Sequence, residues 1–97
     1  MAIIITQKTL EKLATKHNVT EAEVSQCFAN RNGKFLTDTR EEHASDPQTQ
    51  WFISGTDYGR VLKVVFILKD GDINLRSAFT PNESEMRIYE KHALKAI

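Results

Sequence analysis

The chain has 97 residues, with 13 lysines and arginines against 13 aspartates and glutamates, a length that suits one domain (residues 1–97) with a modest core and no need of disulfides or metal. Balanced charge excludes a global field drawing the chain to nucleic acid or acidic membrane, so any such contact requires a local patch. The single cysteine, Cys27, excludes an intramolecular disulfide and fits a reducing, cytoplasmic setting. Met1 to Ile5 is too short for a signal or spanning segment, so no membrane partner is expected.

In chain order, Ile3 to Ile5 suit either an edge strand or an anchor of the N-terminus on the core. Thr6 is an N-cap for a short helix over about 7–17, with Leu10, Leu13, Ala14 and His17 at helical spacing and Asn18 as a left-handed stop. His17 reads as a partly buried structural histidine. Thr20 and Glu23 form a capping box for a second helix that turns Val24, Cys27 and Phe28 inward and ends at Asn32-Gly33. Cys27 reads as a buried, inert thiol. Phe35 and Leu36 centre a short strand within Lys34 to Thr37. Residues 38–50 read as a polar surface loop or one irregular helical turn. Its Asp38, Glu41, Glu42, His43 and Asp46 match neither a calcium loop nor a zinc helix, so no metal is expected. Strand character resumes from Trp51 to Ser54, and Gly55 to Gly59 turns the chain into the central hairpin.

That hairpin, Gly59 to Phe79, carries the clearest signal. Asp70-Gly71 suits a two-residue turn with positive φ. With that turn as the register, Leu68 faces Ile73, Phe66 faces Leu75, Val64 faces Ser77 and Leu62 faces Phe79, giving one apolar face. The other face carries Val61, Lys63, Val65 and Ile67 opposite Ala78, Arg76 and Asn74. After Phe79, Thr80 as N-cap, Pro81 at the first helical position and Glu83 at the third predict a last helix. Its inward stripe is Met86, Tyr89, Ala93 and Ile97 (or Ala96), and Arg87, Lys91 and Lys95 form a solvated row. The predicted order is α-α-β-β-β-β-α, an α+β domain.

No phosphate-binding glycine loop, CxxC, HExxH or GxSxG motif is present. The remaining chemistry is a group of cations and hydrogen-bonders about the hairpin: Arg60, Lys63, Arg76 and Ser77, with Arg87 and Tyr89 on the next helix. Lys63 and Arg76, diagonal on the non-core face, could hold a phosphate and stabilise charge developing in its transfer. They could equally be ordinary solubilising residues on a wet sheet face.

Two stretches carry a family resemblance. KHNVTEAEVSQCF (Lys16 to Phe28) is similar to a Lys-His-Gly-Val followed by a capped helix ending in phenylalanine. GRVLKVVF, running on through INLRSAFTPNESEMRIYEK, is similar to a Gly-Arg-Leu, a hydrophobic strand, an Ile-Ser-Ala-Arg and a helix with Glu, Arg and Tyr. The ordered pair resembles the BrnT family of bacterial toxin–antitoxin toxins, with Gly59, Arg60, Ser77, Ala78, Glu85, Arg87 and Tyr89 matching. The resemblance implies a RelE-like fold: two N-terminal helices, an antiparallel sheet of about four strands and a C-terminal helix. It implies a type II toxin, an endoribonuclease acting on the ribosome or on free RNA to inhibit translation. The partners would be a cognate antitoxin and RNA or the ribosome, with no cofactor and no DNA contact of the toxin's own. On this expectation Arg60, Lys63 and Arg76 are catalytic, while Arg87, Tyr89 and Ser77 bind RNA. Phe79 stands where the family has an arginine, and Thr80 to Ser84 replace a basic run. The alternative is therefore a non-catalytic binding module of the same fold that has lost ribonuclease activity.

Overall fold

The computed structural model describes residues 2–38 and 48–94. A mixed five-stranded sheet in the order β1-β5-β4-β3-β2 is built from β1 (Ile3–Ile4), β2 (Leu36–Thr37), β3 (Thr49–Gly55), β4 (Val61–Lys69) and β5 (Asp72–Phe79). Among the described residues three α-helices accompany it: α1 (Gln7–Lys12), α2 (Glu21–Ala29) and α3 (Glu83–Tyr89). Wider π-type turns extend α1 over Leu13–His17 and α3 over Glu90–Leu94. The expected α+β class holds. The sheet gains a fifth strand because Ile3 and Ile4 pair in parallel with Ile73 and Asn74. The Ile73 amide donates to Ala2 O at 2.8 Å and the Ala2 amide to Asp72 Oδ1 at 3.1 Å, which pins that edge.

Local signals set most boundaries. Thr6 Oγ1 accepts the Thr9 amide at 3.2 Å, and Asn18 closes the first helical segment at φ 52°. The Thr20–Glu23 box is complete in both directions. α2 ends at Ala29, short of the expected Asn32-Gly33, because Asn30 turns out to donate to Gly55 O and Asp57 Oδ1 at 3.0 and 2.9 Å. Gly33 serves close approach instead: a Cβ there would lie 2.6 Å from the Tyr89 hydroxyl oxygen. β3 starts two residues earlier than expected, at Thr49. α3 starts two residues later than expected, because Asn82, and not Thr80, is its N-cap. The Asn82 side chain accepts the Glu85 amide at 2.8 Å, and Glu85 Oε1 accepts the Asn82 amide at 2.9 Å.

The hairpin follows its predicted register only near the turn. Asp70 and Gly71 take φ 54° and 79°, and Leu68 pairs with Ile73 and Phe66 with Leu75. Beyond Leu75 a bulge intervenes: Val65 pairs with Ser77, Val64 with Ala78 and Lys63 with Phe79, leaving Arg76 as the extra residue of β5. The expected Val64–Ser77 and Leu62–Phe79 pairs are thereby overturned. Ala78, expected on the wet face, is fully buried in the core, while Ser77 and Phe79 move to the face of Lys63.

One sheet face holds the main core. Phe52, Val64, Phe66, Leu75 and Ala78 pack there against Leu13, Val24 and Cys27. Phe28 and Phe35 close over Phe52 and Phe66, with ring centroids 4.7 and 5.6 Å apart for the pairs to Phe52 and 5.6 and 4.8 Å for those to Phe66; all but the tilted Phe35–Phe52 pair are edge-on contacts, favoured by the ring quadrupoles. The second face is covered in part by α3, whose Tyr89 lies 5.7 Å from the Trp51 ring. Tyr89 and Ala93 form the predicted inward stripe with half-buried Met86; Ile97, Ala96 and Lys95 lie outside the described residues, as do Glu41, Glu42, His43 and Asp46. Among the described residues no helix is long and apolar enough to cross a membrane.

Candidate functional site

The second sheet face and α3 enclose a cleft. Its floor follows from strand register: Trp51, Val65 and Ser77 form one rung across β3, β4 and β5, and Ile53, Lys63 and Phe79 the next. Its wall is a row on α3, Glu85, Ile88 and His92, at helical spacing one step around from the buried Tyr89–Ala93 stripe. One part of the cleft, about 580 Å³, lies between Trp51, Lys63 and that wall, with Leu36 at its end. A second part, about 270 Å³, is lined by Trp51, Lys63, Arg76, Ser77 and Phe79. Asp38, itself buried, borders both.

Lys63 is the centre of this cleft. It is only 8% exposed, and its ammonium lies 2.5 Å from Glu85 Oε2, 4.4 Å over the Trp51 ring and 5.7 Å from the Phe79 ring. A cation held out of water needs such company: a carboxylate to neutralise it and a π face to replace lost hydration. Glu85 has two tasks, since its other oxygen completes the helix cap. Arg76 is exposed at the bulge beside Ser77, which is half-buried.

The sequence-predicted residues separate here. Lys63, Arg76 and Ser77 share the cleft. Arg60 does not join them: strand alternation puts it on the Leu62 side, the other face of the sheet. There its guanidinium donates to Asn18 O at 2.6 Å, to His17 O at 2.9 Å and to both Glu23 oxygens at 3.2 and 3.1 Å. It is a clamp on the α1–α2 connection. Tyr89, expected at the RNA-facing edge, is 2% exposed and donates its hydroxyl to Lys34 O at 2.9 Å; burial raises its pKa. Its helical position one step from the Glu85 row turns it into the core. Arg87 is exposed and pairs with Glu83 one turn back. Trp51, Glu85 and His92 were not singled out by spacing, because the cleft joins β3 to α3 across a long separation in sequence. The cues in the sequence were an isolated tryptophan at the expected start of a strand and Glu85 among the BrnT-like matches.

Chemically, the cleft offers an indole and a phenyl ring for stacking, a lysine and an arginine for phosphate, a serine hydroxyl, and Glu85 and His92 as groups able to exchange a proton. Among the described residues no group of three or more His, Cys, Asp or Glu side chains is placed to hold a metal ion. Cys27 plays no part: it is fully buried on the opposite face, its thiol donating to Ser54 O at 3.7 Å. No protein-family model matches the chain, and no curated protein matches it in sequence.

Proposed function

We propose that this chain is a toxin-like protein of RelE-like architecture, held in a type II pair by a cognate antitoxin, and that single-stranded RNA enters the cleft between the second sheet face and α3. The observation that carries this reading is the convergence of Trp51, Lys63, Arg76, Ser77 and Phe79 in one cleft. Aromatic platforms interleaved with cations suit an unpaired strand, whose bases stack while its phosphates meet lysine and arginine. The two helices ahead of β2 to β5 and the helix after them suit the architecture that the BrnT-like stretches imply, with β1 as an added parallel edge strand.

In the catalytic version, Arg76 and Lys63 hold the phosphate as charge develops on it; the 2′-oxygen bonds to phosphorus while its proton passes to a cleft side chain, the P–O5′ bond breaks to leave a 2′,3′-cyclic phosphate, and the departing 5′-oxygen takes up a proton. A second reading, the non-catalytic binding module, is favoured by a specific observation. Lys63 is already neutralised by Glu85 and Arg60 is spent on the other face, so the expected three cations do not assemble. Oligoribonucleotide binding and cleavage by the wild type, Arg76→Ala and Lys63→Met separate the two. Cleavage lost in both variants supports the endoribonuclease. Binding that weakens in both without any cleavage by the wild type supports the module. Binding or cleavage indifferent to both substitutions excludes the cleft.

A further inference from the structure

A second groove lies around the sheet edge from the cleft, where β5 meets α1. It encloses about 380 Å³ and is lined by Lys8, Lys12, Thr6, Thr9, Asn74 and Arg76, among others. Lys8 and Lys12 stand one turn apart on α1 and so share a side of that helix. Arg76 arrives from the opposite wall on β5, where it is the extra residue of the bulge and follows Asn74, another residue of the lining. All three cations are exposed, and among the described residues no carboxylate lines the groove. In a chain whose charges balance overall, three cations converging on one concave surface with hydroxyl and amide groups between them form a local anion-binding patch. Arg76 also lines the second-face cleft, so the two concavities share it.

We infer that the α1–β5 groove binds the phosphodiester backbone of single-stranded RNA, as a continuation of the strand whose bases occupy the cleft. The inference rests on the RNA reading given above. The backbone leaves Lys63 and Ser77, crosses the bulge at Arg76 and follows Lys12 and Lys8 along α1. Contacts here are to phosphate alone, so they add affinity and direction without base preference. Arg76 is the link, since it lines both the cleft and the groove.

The test is Lys8→Gln with Lys12→Gln, two exposed positions on a helix whose capping Thr6–Thr9 contact is retained. Binding of a fluorescent oligoribonucleotide of about ten nucleotides, and of one of about three, is measured against salt for this variant, Arg76→Ala, Lys63→Met and the wild type. The double variant should bind the long strand about tenfold more weakly, lower the salt slope by about 1.4, and leave the short strand unaffected. Circular dichroism confirms that the variant is folded. An unchanged affinity and slope for the long strand in the double variant, with binding still sensitive to Lys63→Met, overturns the groove and leaves the cleft standing. Loss in the double variant with indifference to Lys63→Met supports the groove and overturns the cleft reading. If the wild type binds no oligoribonucleotide but binds poly-glutamate through Lys8 and Lys12, the groove takes an acidic protein and both RNA assignments fall. Binding of neither probe overturns both as well.

Discussion

Arg60 shows how one side chain acts when its acceptors are already placed. The carbonyls of His17 and Asn18 terminate the first helical segment, where the left-handed Asn18 leaves them without intrahelical donors. The guanidinium fork meets both, and the carboxylate of Glu23 as well. Arg60→Ala should cost about 2 kcal/mol, measured by urea denaturation, because charged hydrogen bonds are lost together. It should also change the acid limb of stability. The Thr20 backbone amide holds the Glu23 carboxyl below its ordinary range, with Arg60 assisting against the opposing effect of burial. A carboxyl with a lowered folded pKa stabilises the fold above its unfolded pKa, and that contribution is lost as pH falls through the folded value. Removal of Arg60 should therefore shrink the loss of stability between the ordinary glutamate range and Glu23's own lower pKa. An acid limb of unchanged steepness in Arg60→Ala contradicts the clamp.

Among the elements, α3 illustrates competition between two adjacent start signals. Thr80-Pro81-Asn82-Glu83 has every residue type of an N-terminus, yet the cap forms at Asn82, whose own glutamate at the third helical position is Glu85. The Lys63 ammonium holds Glu85 from the sheet side, so tertiary contact and local capping agree at Asn82 and not at Thr80. Asn82→Ala should lower stability by about 1 kcal/mol. Thr80→Ala should change it by less than about 0.5 kcal/mol, as expected of an exposed position outside the cap. Equal effects of the two substitutions in thermal denaturation would falsify this assignment. The same element presents Glu85, Ile88 and His92 to the cleft while burying Tyr89 and Ala93, so a helix one residue out of phase would exchange site and core.

On the scale of the whole molecule, the sheet divides the side chains into a closed aromatic face under α1 and α2 and a partly open face beneath α3. Cys27 reports on the closed face. Its thiol is fully buried and pushed up to about 11 by burial, with the Glu23 charge adding to the effect. In folded protein near pH 8 it should be inert to disulfide reagents, reacting at a rate set by unfolding of the core. Destabilising variants such as Arg60→Ala should accelerate that reaction in step with their loss of stability. Rapid labelling of the stable wild type contradicts the closed core.

The features that depend on neighbours in the chain were legible in the sequence. The Asp70-Gly71 turn needs only positive φ, the Thr20–Glu23 box only two side chains three residues apart, and the pairs Leu68–Ile73 and Phe66–Leu75 only a short distance from the turn. Pairing carries that information outward until something breaks the period. Arg76 breaks it, and a bulge has no local signature in LRSAF, so only the packed sheet could send Ala78 inward and Phe79 to Lys63. The partners of Arg60, the parallel edge strand from Ile3, and the meeting of Trp51 with Glu85 and His92 likewise join segments far apart in the chain. Their geometry is set by how the helices close on the two faces of the sheet, because the free energy that holds them comes from burial shared among many residues.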